Sequence, residues 1–507
     1  MKKPMTWSRW RRARQAVQIL AFALYIYLLF AALQRRAAFP LADLFFRLNP
    51  LAALSAMIAA RAWIPRLALA LVTLALTLLL GRVWCGWICP LGTLLEWVRI
   101  RPTETGFLRK TRFLRRVKYI LLLLILAMAL FGSLALLIFD PITLLTRTMT
   151  AAILPALNQA VTAVERTLYP VVFLRPIIDW VEQVLRGPVL PVIQPAFSGG
   201  AFIFLLFLGI LALNALADRF WCRYLCPLGA LIGLGSKFAW VKRRVNQASC
   251  VKCGDCAALC TMGAISSERD YTSDPAECIM CMDCAAPCPK TAITFERGPA
   301  VGWNFEFDPT RREALATFGI SAAAVGLLTL DVGNVKAAKT SVLRPPGAQG
   351  DDFLAKCIRC DQCIQGCPNK ALQPAGFEAG WDALWTPVLD PFTGYCDPDC
   401  NLCGQICPSG AIPSLTLEEK RKAVIGVAYV NFEECVRCMD CLENCPYDCF
   451  EEVEVEGLRG VYPRVKSDQC IGCGLCVHVC PEQEARAIVV YPADGIPPDN
   501  YKTTLVT

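Results

Sequence analysis

A helical membrane bundle carrying small, metal-stapled α+β modules is the fold class that this 507-residue chain predicts, on three observations. Apolar residues make up 55% of the chain and charged residues only 19%, and the apolar ones gather in runs long enough to cross lipid. Twenty-nine cysteines stand mostly in compact, repeated quartets, against a single histidine, His478. The quartets lie in segments too short to bury a stable apolar core, so bound metal has to hold them together. This composition excludes a disordered chain or a nucleic-acid-binding one, and a net charge of +8 is small enough to reflect membrane orientation. One histidine excludes a bis-histidine haem, and no cysteine pair is followed by His, so no haem is expected.

Four runs, Val17–Leu33, Leu67–Val83, Tyr119–Phe139 and Ala201–Ala217, read as spans. Leu51–Ala60 is shorter and reads as interfacial or re-entrant, and the proline-rich 141–199 segment as amphipathic pieces on the outer face. Arg35 and Arg36 after the first run favour an uncleaved anchor over a signal peptide. Basic residues cluster before the first span, between the second and third, and after the fourth, whereas the 140–198 loop holds four basic and four acidic residues. The positive-inside rule therefore puts both ends of the four-span unit in the cytoplasm, although Arg35, Arg36, Arg47 and Arg61 dissent.

The bundle is duplicated. Trp84-Cys85-Gly86-Trp87-Ile88-Cys89-Pro90-Leu91-Gly92 returns as Trp221-Cys222-Arg223-Tyr224-Leu225-Cys226-Pro227-Leu228-Gly229, each closing the second span of a two-span unit. The halves are thus parallel repeats, and pairing them would bring Cys85, Cys89, Cys222 and Cys226 together as a redox site, with one further metal or a thiol relay. The blander reading is that each Cys-Pro merely turns the chain at the interface.

Six quartets use 24 of the cysteines. Cys250, Cys253, Cys256 and Cys260 follow C-x2-C-x2-C-x3-C, as do Cys278, Cys281, Cys284 and Cys288. A second block holds Cys357, Cys360, Cys363, Cys367; Cys396, Cys400, Cys403, Cys407; Cys435, Cys438, Cys441, Cys445; and Cys470, Cys473, Cys476, Cys480. Three thiolates at two-residue intervals wrap one loop around a cubane, and the fourth, before a proline, turns away to the partner cluster. A zinc ribbon would need two pairs separated by a longer loop. Six [4Fe–4S] clusters are therefore expected, in ferredoxin-like modules of short strands and small helices. In the first block the swap gives Cys250, Cys253, Cys256 with Cys288, and Cys278, Cys281, Cys284 with Cys260; in the second block spacing does not fix the partners. Thr261 replaces the proline of the first quartet, the Cys396-x3-Cys400 gap predicts a bulge, and Cys449 reads as a bystander thiol.

Thr310-Arg311-Arg312-Glu313 ahead of the mild apolar run Leu315–Leu330 reads as a twin-arginine-like export signal or anchor, with Ala337-Ala338 as a cleavage point. The expected organisation is a membrane domain (1–245), a cytoplasmic two-cluster module (246–298), a linker (299–350) and a four-cluster domain on the periplasmic side (351–507). Trp84, Trp87, Trp97 and Trp221 offer an aromatic quinol site or an ordinary interfacial belt, and Asp140 and Asp218 could handle protons or be plain helix ends.

On these residues the chain resembles two known families. Residues 1–300, with their four spans, two C-x3-C-P motifs and cluster pair, resemble the NapH family, and residues 308–490 the NapG/MauM family of exported ferredoxin-type proteins, here joined in one chain. The C-x3-C-P motif is also similar to the membrane part of the NosR regulators. The resemblance implies a quinol dehydrogenase in the bacterial inner membrane. It would draw menaquinol or ubiquinol from the quinone pool and pass electrons to a periplasmic cytochrome or a molybdenum or copper reductase of nitrate or nitrous oxide type. Two other functions stand beside it: an all-cytoplasmic polyferredoxin serving soluble donors, and a maturation or redox-sensing factor working through the C-x3-C-P thiols. Membrane lipid is the other expected partner, and nucleic acid is not one.

Overall fold

The computed structural model describes residues 5–33, 41–98, 112–186, 197, 199–298, 342–350, 352–455, 457–493 and 495, with scattered positions between 312 and 326. Arg311, Ala337 and Ala338 lie outside the described residues.

The helical part is built from α1 (Met5–Leu33), α2 (Pro50–Ala60), α3 (Ala70–Leu80), α4 (Pro90–Trp97), α5 (Arg112–Leu130), α6 (Pro141–Thr148), α7 (Leu154–Leu168), α8 (Arg175–Leu185), α9 (Gly200–Ala212) and α10 (Pro227–Ser236). Among the described residues one helix, Arg9–Ala32 within α1, is long and apolar enough to cross a membrane. The three other expected spans are segmented. Pro65 starts a 3-10 turn before α3, and Gly81 ends α3 at a φ of 74°. Gly132, at a φ of 84°, follows α5 and separates it from a 3-10 turn at Ala135–Phe139. The α9 helix tightens into a 3-10 turn at Leu213–Ala215. An apolar run registers lipophilicity but not these breaks, so it overstates helix length.

The core forms where α5 packs on α2 and α10, and α1 on α4. Leu51, Ala52, Ala56, Leu67, Leu91, Ala230 and Ile232 are wholly buried there. The outer faces are also apolar: Ile19, Leu20 and Leu24 on α1, Leu71 and Val72 on α3, and Phe202 and Leu205 on α9 are exposed. Around α8, Val172, Phe173, Ile177 and Trp180 form a further exposed apolar row, while Arg186 closes that segment onto α7 through Glu165 at 2.6 Å.

Two cysteine-rich modules cap the bundle. In the first, β1 (Val241–Val245) pairs antiparallel with β2 (Ile293–Arg297) and closes the module on itself. In the second, β3 (Leu372–Pro374) pairs with β4 (Pro387–Leu389), β5 (Val427–Val430) with β8 (Ile488–Tyr491), and β6 (Phe450–Glu454) with β7 (Val461–Val465), all antiparallel.

The modules sit at opposite ends of the same helices. On α1, Arg14 pairs with Asp283 of the first module at 3.2 Å, while the Leu29 carbonyl accepts from Gln365 of the second at 2.6 Å. The helical stretch between those two contacts is roughly 22 Å long at 1.5 Å per residue. Around α3, Arg82 donates to the Ala276 carbonyl at 2.6 Å and Arg66 to that of Cys407 at 3.0 Å. From α5, Lys118 pairs with Glu277 at 2.6 Å, and Ser133 beyond its far end donates to Asp382.

Both contacts are anchored by buried charge. Glu277 takes Lys118 and Arg82, and all three are nearly or wholly buried. Arg147 holds Asp361 at 3.0 Å with both side chains buried, and its guanidinium lies 4.5 Å over the Trp385 ring. A buried pair that loses one partner costs about 3–5 kcal/mol.

Candidate metal centres

The cysteine loops share a backbone device. Lys252, Met280, Arg359, Arg437 and Gly472 each stand just before the second cysteine of a quartet at a φ between 53° and 73°. Gly254, Met282, Asp361, Met439 and Gly474, just after it, are also left-handed, with φ between 58° and 88°. Four side-chain-bearing residues accept this disfavoured conformation at the first position and three at the second. Two reversals per loop curl the chain so that three thiols face one interior. The Cys396 loop is the exception. Its extra residue is taken up by a turn in which Asp399 N donates to Asp397 Oδ1 at 2.9 Å, which is the expected bulge.

Four cavities receive these thiols. One is lined by Cys250, Cys253, Cys256 and Cys288, and a second by Cys260, Cys278, Cys281 and Cys284. A third is lined by Cys435, Cys438, Cys441 and Cys480, and a fourth by Cys445, Cys470, Cys473 and Cys476 together with Cys449. Each thus takes three cysteines from one loop and the fourth cysteine of the partner quartet, one arrangement repeated four times. In the remaining pair of quartets, Cys357, Cys360 and Cys363 lie in the field of Cys407, whereas Cys396 and Cys403 lie in that of Cys367. Three thiols from one loop and the fourth thiol of its partner fit a cubane. Burial pushes the Cys278 thiol up to about 12, and Cys284 up to about 11 despite Arg243 donating to its sulfur at 3.3 Å. Bound iron, rather than water, is then what would stabilise these thiolates.

Cys449, expected to be a bystander, is a wall of the fourth cavity with its sulfur 3.3 Å from that of Cys445. No spacing rule points to it, because it follows the last cysteine of its quartet.

The duplicated motif folds twice into one shape. In each copy a π-helical turn is closed from the second cysteine back to the tryptophan, Cys89 N to Trp84 O and Cys226 N to Trp221 O, both at 2.9 Å. Pro90 and Pro227 then start the next helix, where a missing N–H costs nothing. All four thiols are buried and lie within one another's field. Arg82 and Arg219 lie in their field, and Arg219 Nε and Arg82 Nε and Nη2 are buried without a hydrogen-bond partner. Arg82 Nη2 comes within 2.8 Å of where a Gly229 side chain would begin, and Gly229 N donates to Cys226 Sγ at 3.2 Å. Two buried guanidinium groups and a backbone N–H beside four sulfurs suit an anionic centre.

This tetrad abuts the second cavity. Gly86 lies so close to the Ile279 carbonyl that any side chain would collide, and Trp87 Nε1 donates to the Met280 carbonyl at 3.0 Å. Trp84 and Trp221 are buried, while Trp97 is half-exposed and packs edge-on against Phe22 at 5.1 Å. The four tryptophans therefore do not form one aromatic pocket. Asp140 is no solvated helix end: it is buried, caps α6 through Ile142 N and Thr143 N, and accepts from Asn49 at 2.8 Å.

Sequence comparison points the same way. Residues 62–112 and 200–246 each match a family model described as a 4Fe-4S binding domain, and these stretches carry the two copies of the duplicated motif. Residues 428–488 and 270–368 match models described as 4Fe-4S dicluster domains. The second of these takes one quartet from each module, whereas the folded side chains pair quartets within a module. A methylamine utilization ferredoxin-type protein MauM from Methylorubrum extorquens is 38% identical over 207 residues, 37% of this chain and 90% of the relative. A ferredoxin-type protein NapG from Escherichia coli is 33% identical over 36% of this chain and 83% of its own length. NapF of the same organism is 31% identical over 32% and 92%. With several 4Fe-4S domains and its quartets of thiols, the chain is an iron–sulfur electron-transfer protein and belongs to the ferredoxin-type family of MauM and NapG.

Proposed function

We propose that the protein is a membrane-spanning quinol dehydrogenase subunit, a NapH-like bundle fused to a NapG/MauM-like domain, that carries electrons between two modules on opposite faces of the bilayer. The observation that carries the reading is the placement of the modules at the two ends of α1, α3 and α5. The apolar outer faces of α1, α3 and α9 support a four-span arrangement in lipid, with α8 resting on the surface. The short, broken helices fit a bundle whose irregular turns are buried in protein, as backbone at membrane depth must be. With the positive-inside count, the first module is cytoplasmic and the second periplasmic.

The 24 quartet cysteines would hold six [4Fe–4S] clusters, which supply one-electron transfer when bound. The chain's own residues set their order. Cys85, Cys89, Cys222 and Cys226 adjoin the Cys260 cavity on one side of the bundle core. On the other side the core includes Ile358 and Cys360, so the Cys357 group faces the bundle. Cys363 then neighbours Cys403, Cys396 N donates to the Cys473 carbonyl at 2.8 Å, and Cys476 neighbours Cys441. The row ends at Cys438, which with Cys253 is one of two exposed cysteines. Exposed Glu433, Glu434 and Glu443 around that end suit a periplasmic redox partner with a basic face. Two-electron quinol oxidation needs a site that passes electrons singly, and the C-x3-C-P tetrad is that redox site.

The test is anaerobic addition of menaquinol or ubiquinol to the reconstituted protein while its cluster absorbance is followed. Bleaching in the wild type, lost in Cys222→Ser although dithionite still bleaches every cluster, is expected. Equal quinol bleaching in both proteins overturns the tetrad's role, and no bleaching in either overturns the quinol reading.

A further inference from the structure

The Cys445 cavity holds five thiols where a cubane uses four. Cys449 is 3% exposed, its sulfur is 3.3 Å from Cys445 Sγ, and it lies in the field of Cys470, the first cysteine of the three-thiol loop, which lines the same cavity. The turn Pro446-Tyr447-Asp448, with Asp448 at a φ of 49°, folds the chain back so that both sulfurs face the same interior. Among the other cavities described, each is lined by four cysteines only.

We propose that Cys449 is an interchangeable ligand, able to take the place of Cys445 at the iron this cavity holds. The inference rests on reading the cavity as a [4Fe–4S] site. The exchange balances without any added reactant. The bond from iron to the Cys445 sulfur breaks as the bond to the Cys449 sulfur forms, and the Cys449 thiol proton passes to the departing Cys445 sulfur. No electron is gained or lost. A neighbour at 3.3 Å needs only a side-chain rotation to complete the swap. The site lies one step before the exposed end of the row of cavities, so a spare ligand there preserves the path when Cys445 is displaced.

The experiment compares iron content and the electron paramagnetic resonance of the reduced full-length protein in four variants. Cys438→Ala, in a cavity with no fifth thiol lining it, is expected to lose its cubane or at least one iron, which establishes what loss of a single ligand does. Cys445→Ala is expected to keep the wild-type iron count with a shifted signal from one cluster, because its ligand geometry has changed. Cys449→Ala keeps the iron and the signal within a small shift, and Cys445→Ala/Cys449→Ala loses about four irons, one cubane. If Cys445→Ala alone loses as much iron as the double variant, or fails to fold where Cys438→Ala folds, the interchange is refuted. If the double variant keeps every iron, the cavity is not a cluster site, and the underlying reading fails instead.

Discussion

Replacing Glu96 by glutamine removes the charge that holds the first module, the second repeat and α1 together. Its carboxylate accepts from Arg14 Nη1 at 2.7 and 2.9 Å, from Gln18 Nε2 at 2.8 Å, and from Arg219 Nη2. Arg14 in turn reaches Asp283, next to Cys284, and Arg219 borders the thiol tetrad. Burial pushes the Glu96 carboxyl up, but Arg219, Arg14 and Gln18 outweigh it and hold it at about 2, against an ordinary 4.5. That difference corresponds to roughly 3 kcal/mol of stability. Because the folded value is depressed, this contribution is fully present above pH 4.5 and disappears as pH falls toward 2. Glu96→Gln at pH 7 should therefore lose all of it, and the range of about 3–5 kcal/mol for unpairing a buried charge agrees. Hydrogen exchange of residues 241–297 at pH 7 measures the effect as local opening, expected to be about a hundredfold or more faster. Exchange unchanged within a factor of three would refute the ion-pair argument.

Other expectations follow from the same contacts. Arg147→Met leaves Asp361 buried without its partner and should loosen the second module by about 3–5 kcal/mol, seen as faster limited proteolysis at 342–350. Gly86→Ala drives a methyl into the Ile279 carbonyl; overpacking of about 1–3 kcal/mol should displace the first module and slow dithionite-independent reduction of its clusters. Charge reversal at Glu433 and Glu434 should weaken transfer to a basic acceptor and flatten its dependence on ionic strength, measured by stopped-flow between 20 and about 200 mM salt. Full loading should give about 24 irons per chain for six cubanes, and a fully loaded sample with clearly more would assign metal to the tetrad.

Much of the metal chemistry is legible in the sequence because it is local. Which three cysteines share a loop follows from two-residue spacing, and Cys260 and Cys288 are drawn to each other's loops by short separation. In the second block the proline-flanked fourth thiols have several loops within reach, and only the fold shows Cys407 with Cys357 or Cys445 with Cys470. The duplicated motif is legible, but not why Gly86 in one copy answers to Arg223 in the other. In the structure Gly86 admits the Ile279 carbonyl, while the Arg223 guanidinium fills the space where a Gly263 side chain would begin on the same module. In the sequence Glu96 is one of two acids between the second and third apolar runs; its partners, Arg14 and Arg219, lie 82 and 123 residues away, and no local pattern announces them. Cys449 was passed over because a leftover cysteine carries no spacing. Helix lengths were overstated where Gly81 and Gly132 break runs that hydropathy reads as continuous.

The most direct measurement of the central claim is the side of the membrane on which the second module lies. Reporters fused after Thr507, one active only in the cytoplasm and one only outside it, decide this in intact cells. The account predicts activity outside, dependent on Arg311 and Arg312, with Lys290 of the first module protected from an impermeant amine label. Activity inside would put both modules on one face and contradict transfer across the bilayer.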